Sequence, residues 1–146
     1  MISRKNILLA VLLIILSGSI YIYKEYNRTN TNVAEEKSTF MVDANKLIKE
    51  FSNDDSAATK KYVGKMISVR GIVKNLTTDE RGYYTLNLGD TASLSAVRCS
   101  IDSMYSSKAI TLKPGAFITV KGMCTGYNED ELLGLDVIIN RCFIEN

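Results

Sequence analysis

Arg70, Tyr83, Thr85, Asn87, Arg98 and Ser100 fall at alternate positions in three segments that are otherwise apolar: ISVRGIV, YYTLNLG and VRCSI. A period of two places such residues together on one face of a strand, opposite the apolar set. A tyrosine ring stacks on a base or a sugar, and a guanidinium pairs with phosphate or carboxylate. The six are therefore a candidate ligand face. The competing reading is an ordinary solvated strand surface, because one tyrosine is a thin platform and Asp79, Glu80 and Asp90 nearby repel a polyanion.

The second group with chemistry is Cys99, Cys124 and Cys142, with no CxxC pair among them. Cys99 keeps the phase of Val97 and Ile101, Cys124 that of Val120, and Cys142 that of Ile138 and Ile144, so all three are expected to face inward. The chain has no histidine, which removes the commonest general base and the commonest zinc ligand. The acidic run Glu129, Asp130 and Glu131 lacks the alternating spacing of a calcium loop and reads as a solvated loop. The glycines form no phosphate-binding motif and read as bends and bulges. No catalytic, metal or cofactor-binding residues are expected, and the chain is read as a non-enzyme.

The elements that position these residues begin with a targeting segment. Ile7 to Tyr23 carries no charge over 17 residues and is flanked by Arg4, Lys5, Lys24 and Glu25. Residues 1–26 therefore read as a transmembrane anchor with an interfacial tyrosine pair, or as a cleaved signal segment with Ser17 and Ser19 near the cut. In the anchor reading the tail stays in the cytoplasm and the rest is extracytoplasmic, where thiols meet oxidising conditions. No cysteine near residue 20 permits lipidation. Residues 27–41 are a polar tether.

Of the 18 basic and 16 acidic side chains, residues 1–28 hold Arg4, Lys5, Lys24, Arg28 and Glu25, leaving the remainder at −1. A near-neutral domain lacks the basic field that drives non-specific nucleic-acid binding.

Residues 42–146 form the folded domain. Ala44, Leu47, Ile48 and Phe51 make an amphipathic helical stripe, and Asn53, Asp54 and Asp55 suit the start of a second short helix. Alternation then marks strands at Ile67 to Val73, Tyr84 to Leu88, Val97 to Ile101, Phe117 to Cys124 and Leu135 to Ile144, with Gly126 to Gly134 as a loop. The expected fold is mainly β: a five-stranded, partly open Greek-key barrel of the OB type, preceded by short helices. In such a barrel the third and fifth strands lie side by side. Cys99 with Cys142 then forms a disulfide, or all three thiols stay in the core, or one is a reactive or redox cysteine; Cys124 with Cys142 fits less well as a pair.

AxxLIKEFxxxxxxAxxKYxGKxIxVxG at Ala44 to Gly71, VRC at Val97 to Cys99, GAFITVKGMCTGY at Gly115 to Tyr127 and DVIINRCFI at Asp136 to Ile144 together resemble the tRNA_anti-like family of OB-fold proteins. The resemblance implies an OB fold behind a helix, often exported or membrane-anchored, and implies no activity. The functional expectation is a non-enzymatic, membrane-anchored binding or interaction module of the cell envelope, for a protein, an oligosaccharide or another envelope ligand. The alternative is a binder of single-stranded or tRNA-like nucleic acid on the cytoplasmic side.

Overall fold

A computed structural model describes residue 14, residues 16–23 and residues 35–145. The chain divides into two units, Met1–Thr31 and Asn32–Asn146. Residues 16–23 are helical. The rest of the expected anchor, and the tether as far as residue 34, lie outside the described residues. Among those described, no helix is long and apolar enough to cross a membrane.

The second unit opens with strand β1 (Phe40–Asp43), which runs parallel to β2 (Met66–Thr78) with Phe40 opposite Ile67 and Asp43 opposite Arg70. This strand was not expected. It takes Phe40 and Met41 from the tether, and is too short to show a period before Asp43 caps the next helix. The Asp43 carboxylate accepts from the Asn45 N–H at 3.0 Å and starts α1 (Ala44–Asn53). Ala44, Leu47 and Phe51 are buried, as the stripe requires. Asp54 then caps α2 (Asp55–Tyr62), accepting from Ala57 N–H at 2.8 Å. Helix α1 packs against β1, β2, β4 and β6, so its apolar stripe covers part of the core.

The remaining strands are β3 (Tyr84–Leu88), β4 (Ala96–Ile101), β5 (Phe117–Asp130) and β6 (Gly134–Glu145), with a 3-10 turn (Ser103–Tyr105) and the one-turn α3 (Ser106–Ala109) between β4 and β5. Neighbours run β2-β3-β4-β6-β5 and back to β2, all antiparallel except β4–β6. The five expected strands thus close into a complete ring rather than a partly open one, with β1 added as a sixth. Closure depends on strands that change partner. Residues Met66–Ile72 of β2 pair with β5, and after an irregularity at Val73/Asn75 the same strand pairs with β3.

Two glycines permit the close packing. A Cβ on Gly71 would lie 2.8 Å from the Ala44 Cβ, so its absence lets α1 sit on the sheet. At Gly122 a Cβ would lie 2.7 Å from Ile139 Cγ2 and 2.9 Å from both Asn140 O and Cys142 Sγ.

Strands β5 and β6 form a continuous hairpin through the expected Gly126 to Gly134 loop, from Thr119 opposite Glu145 to Asp130 opposite Gly134. Glu129 and Asp130 end a strand. Asp130 Oδ1 accepts from the N–H groups of Leu132 (2.8 Å) and Leu133 (3.0 Å), closing the turn. The hairpin also corrects the phase of the last strand. Leu135, Val137 and Ile139 are buried before Arg141, which has φ 55°, and Cys142 and Ile144 after it. One extra residue reverses the alternation, so Cys142 does not share a phase with Ile138.

Candidate ligand groove

Paired side chains cross all five barrel strands in one row. Asn75 on β2 stands opposite Asn87 on β3, and Asn87 opposite Arg98 on β4. Asp136 on β6 is opposite Ala96 on β4 on one side and Asn128 on β5 on the other. Arg98 Nη2 lies 2.7 Å from Asp136 Oδ2, which joins the two halves of the row across the parallel seam. Asn87 Nδ2 donates to Asn75 Oδ1 at 2.6 Å. Lys74 Nζ donates to the carbonyls of Ser93 and Ser95, holding the β3–β4 connection beside the row.

Around this row lies an open groove of about 350 Å³, its polar floor walled by Leu94, Ala96 and Leu133. Leu94 is 72% exposed and Leu133 71%, so the walls present apolar surface to solvent. Asn87 Oδ1 is buried and has no hydrogen-bond partner. A buried carbonyl oxygen left unpaired is costly, and the group that satisfies it must carry an N–H or O–H.

Of the expected ligand face, Asn87 and Arg98 line the groove. Thr85 and Ser100 stand opposite one another two register positions further along β3 and β4. Tyr83 is exposed and precedes β3, in a turn held by Asp79 Oδ1, which accepts from Arg81 N–H and Tyr83 N–H at 2.9 and 2.8 Å. Arg70 is not part of the group, because its neighbours are Asp43 and Thr119, on the stretch of β2 that pairs with β1 and β5. Lys74, Asn75, Asn128, Leu133 and Asp136 were missed. Lys74 lies just past the strand expected at Ile67 to Val73, and Asn128 and Leu133 sat in the presumed loop.

Cys99, Cys124 and Cys142 are all buried free thiols in this structure. Burial pushes the Cys124 thiol up to about 11, partly offset by a backbone hydrogen bond from Gly126. Burial also raises Cys142 well above the ordinary thiol value, helped by the adjacent Cys99. Thiols held protonated in this way are poor nucleophiles. Among the described residues, no group of three His, Cys, Asp or Glu is placed to hold a metal ion.

The ring order, the capping helix and the cross-strand groove define an OB-fold domain. The sequence pattern of the tRNA_anti-like family matches residues 1–138, and the chain belongs to that family. No curated protein matches. A Klebsiella pneumoniae lipoprotein, proposed to bind nucleic acid, shares the fold with TM-score 0.53 at 17% identity, over 68% of this chain and 86% of that one. Asparaginyl-tRNA synthetase of Entamoeba histolytica gives TM-score 0.40 at 15% identity, over 56% of this chain and 20% of that one.

Proposed function

We propose that this protein is a non-enzymatic binding module of the cell envelope, held at the membrane through Ile7 to Tyr23 with its barrel outside the cytoplasm, and that the groove seats a neutral, hydroxyl-rich chain such as an oligosaccharide. The observation that carries this reading is the unpartnered Asn87 Oδ1 within a row of amide and paired ionic side chains. Amides read hydroxyl groups by donating and accepting together. The groove is lined by side chains standing on the sheet, so recognition falls to them. Arg98 is paired with Asp136, and among the described residues no aromatic ring lines the groove, which weighs against a nucleic-acid strand.

The test is binding of the 146-residue chain to neutral envelope glycan fragments and to single-stranded oligonucleotides at low and moderate salt. The reading expects glycan binding that changes little with salt and falls at least tenfold in Asn87→Ala. Tight oligonucleotide binding with a steep salt dependence would replace it with the nucleic-acid reading, which also describes what the Klebsiella lipoprotein is proposed to bind. Location needs a surface probe, because the native thiols are buried. A cysteine introduced as Glu131→Cys, at the exposed hairpin tip, is expected to react with an impermeant reagent while the inner membrane is sealed.

A further inference from the structure

We infer that the ligand is built of acetamido sugars, an assignment that rests on the glycan reading of the groove, and that Asn87, Leu94 and Leu133 together recognise the acetamido group. Asn87 Nδ2 is spent on Asn75 Oδ1 at 2.6 Å, so what this amide has left to offer is its oxygen, which is buried and unpartnered. That oxygen calls for an N–H or O–H donor, and the soft terminal torsion of asparagine lets a small rotation bring it to the groove surface. Leu94 and Leu133 wall the same groove and keep most of their surface in solvent. They come from two connections that are locked together. Leu135 N–H donates to Ser95 Oγ at 3.0 Å, and a Cβ on Gly134 would lie 2.8 Å from that oxygen, so the missing side chain lets the β5–β6 turn close on the β3–β4 connection.

The charged side chains of the lining, Lys74, Arg98 and Asp136, are already bonded within the protein, Arg98 to Asp136 and Lys74 to the Ser93 and Ser95 carbonyls. A uronate or a free amino sugar would therefore have to break one of these bonds to find a counter-ion. An acetamido group meets the lining without doing so. Its N–H suits the Asn87 oxygen, its carbonyl suits the amide N–H groups that Asn75 and Asn128 carry, and its methyl covers leucine. A hydroxyl in the same place also donates to Asn87, but it sets a polar group against the leucine walls and leaves their surface in water.

The test is calorimetric titration of the unmodified 146-residue chain with the chitin tetrasaccharide and the cellulose tetrasaccharide. The two share one linkage and differ at the second carbon, which carries acetamido in the first and hydroxyl in the second. The chitin ligand is expected to bind at least tenfold tighter. Leu94→Ser and Leu133→Ser, at exposed positions between strands, are each expected to weaken it about fourfold, the worth of one methyl group left in water, and to leave the cellulose ligand unchanged. Equal binding of the two ligands would overturn the acetamido assignment while the glycan reading stands. Leucine variants that weaken both ligands alike would also overturn it, because the walls would then act on the sugar chain as a whole. If neither ligand binds, the assignment falls, and the glycan reading is decided separately by the other neutral fragments. The ligand comparison needs no variant, so it decides the question even where a substitution disturbs the groove.

Discussion

Raising the pH should destabilise the barrel, and Cys124 should account for a measurable share of the loss. Its thiol moves from 9.0 to about 11 on burial in the core. The folded state therefore holds this proton more tightly than the unfolded chain. The stabilisation is complete below pH 9 and is lost as pH climbs toward 11, because only the unfolded chain releases the proton in that window. Two pH units at about 1.4 kcal/mol each give a full loss of about 2.7 kcal/mol, roughly half of it reached at pH 10. Cys142 and Tyr62 are also raised by burial and steepen the decline, so the diagnostic is a difference. The assay is urea unfolding of the reduced protein and of Cys124→Ala at pH 7, 8.5 and 10. Replacing the thiol costs stability at pH 7 through lost packing, and that cost should shrink by about 1.4 kcal/mol at pH 10. A cost that stays constant from pH 7 to 10 would mean that Cys124 titrates alike in both states, and would refute the argument.

Other perturbations follow from named contacts. Gly122→Ala forces a methyl against Ile139, Asn140 O and Cys142, and should cost about 1–3 kcal/mol by chemical denaturation, since the backbone oxygen has little room to yield. Phe51→Ala empties a buried site packed on Tyr62 and Tyr127 and should cost about 3–5 kcal/mol in the same assay. Asp54→Ala removes the α2 cap and should cost about 1 kcal/mol, with Asp54→Asn retaining most of it. Glu50 is lowered by its hydrogen bond from Lys61, so its small contribution should fade as pH falls below about 4.3 in acid titrations, and Glu50→Gln should flatten that slope.

Elements whose two faces differ in polarity were legible in the sequence. The α1 stripe and the strands at Ile67 to Val73, Tyr84 to Leu88 and Val97 to Ile101 bury the residues their periods select, with Ile48 and Tyr84 half-buried at the margin of the core. The end of β5 was hidden because Asn128, Glu129 and Asp130 are polar on both faces, and pairing with β6 is what holds them extended. The reversal at Arg141 has no period of its own, since a bulge is set by what opposes it, and that is Gly122 and its missing side chain. Two of the nine residues that line the groove were readable for similar reasons. Asn87 and Arg98 belong to strands that keep one face throughout, while Arg70 and Lys74 share a strand that changes partner between them. Asp136 and Asn128 join the row only through ring closure.

Strand β1 has a mechanical consequence. It enters beside β2 and is joined to it in parallel from Thr39 N–H donating to Met66 O onward. A pull on the chain ahead of Phe40 runs along that strand and crosswise to its hydrogen bonds. The bonds are then loaded together in shear, where a hairpin end would peel them one by one, and α1 follows directly after Asp43 as a second point of purchase. The short parallel strand would thus resist, all along its length at once, any load applied to the chain ahead of Phe40.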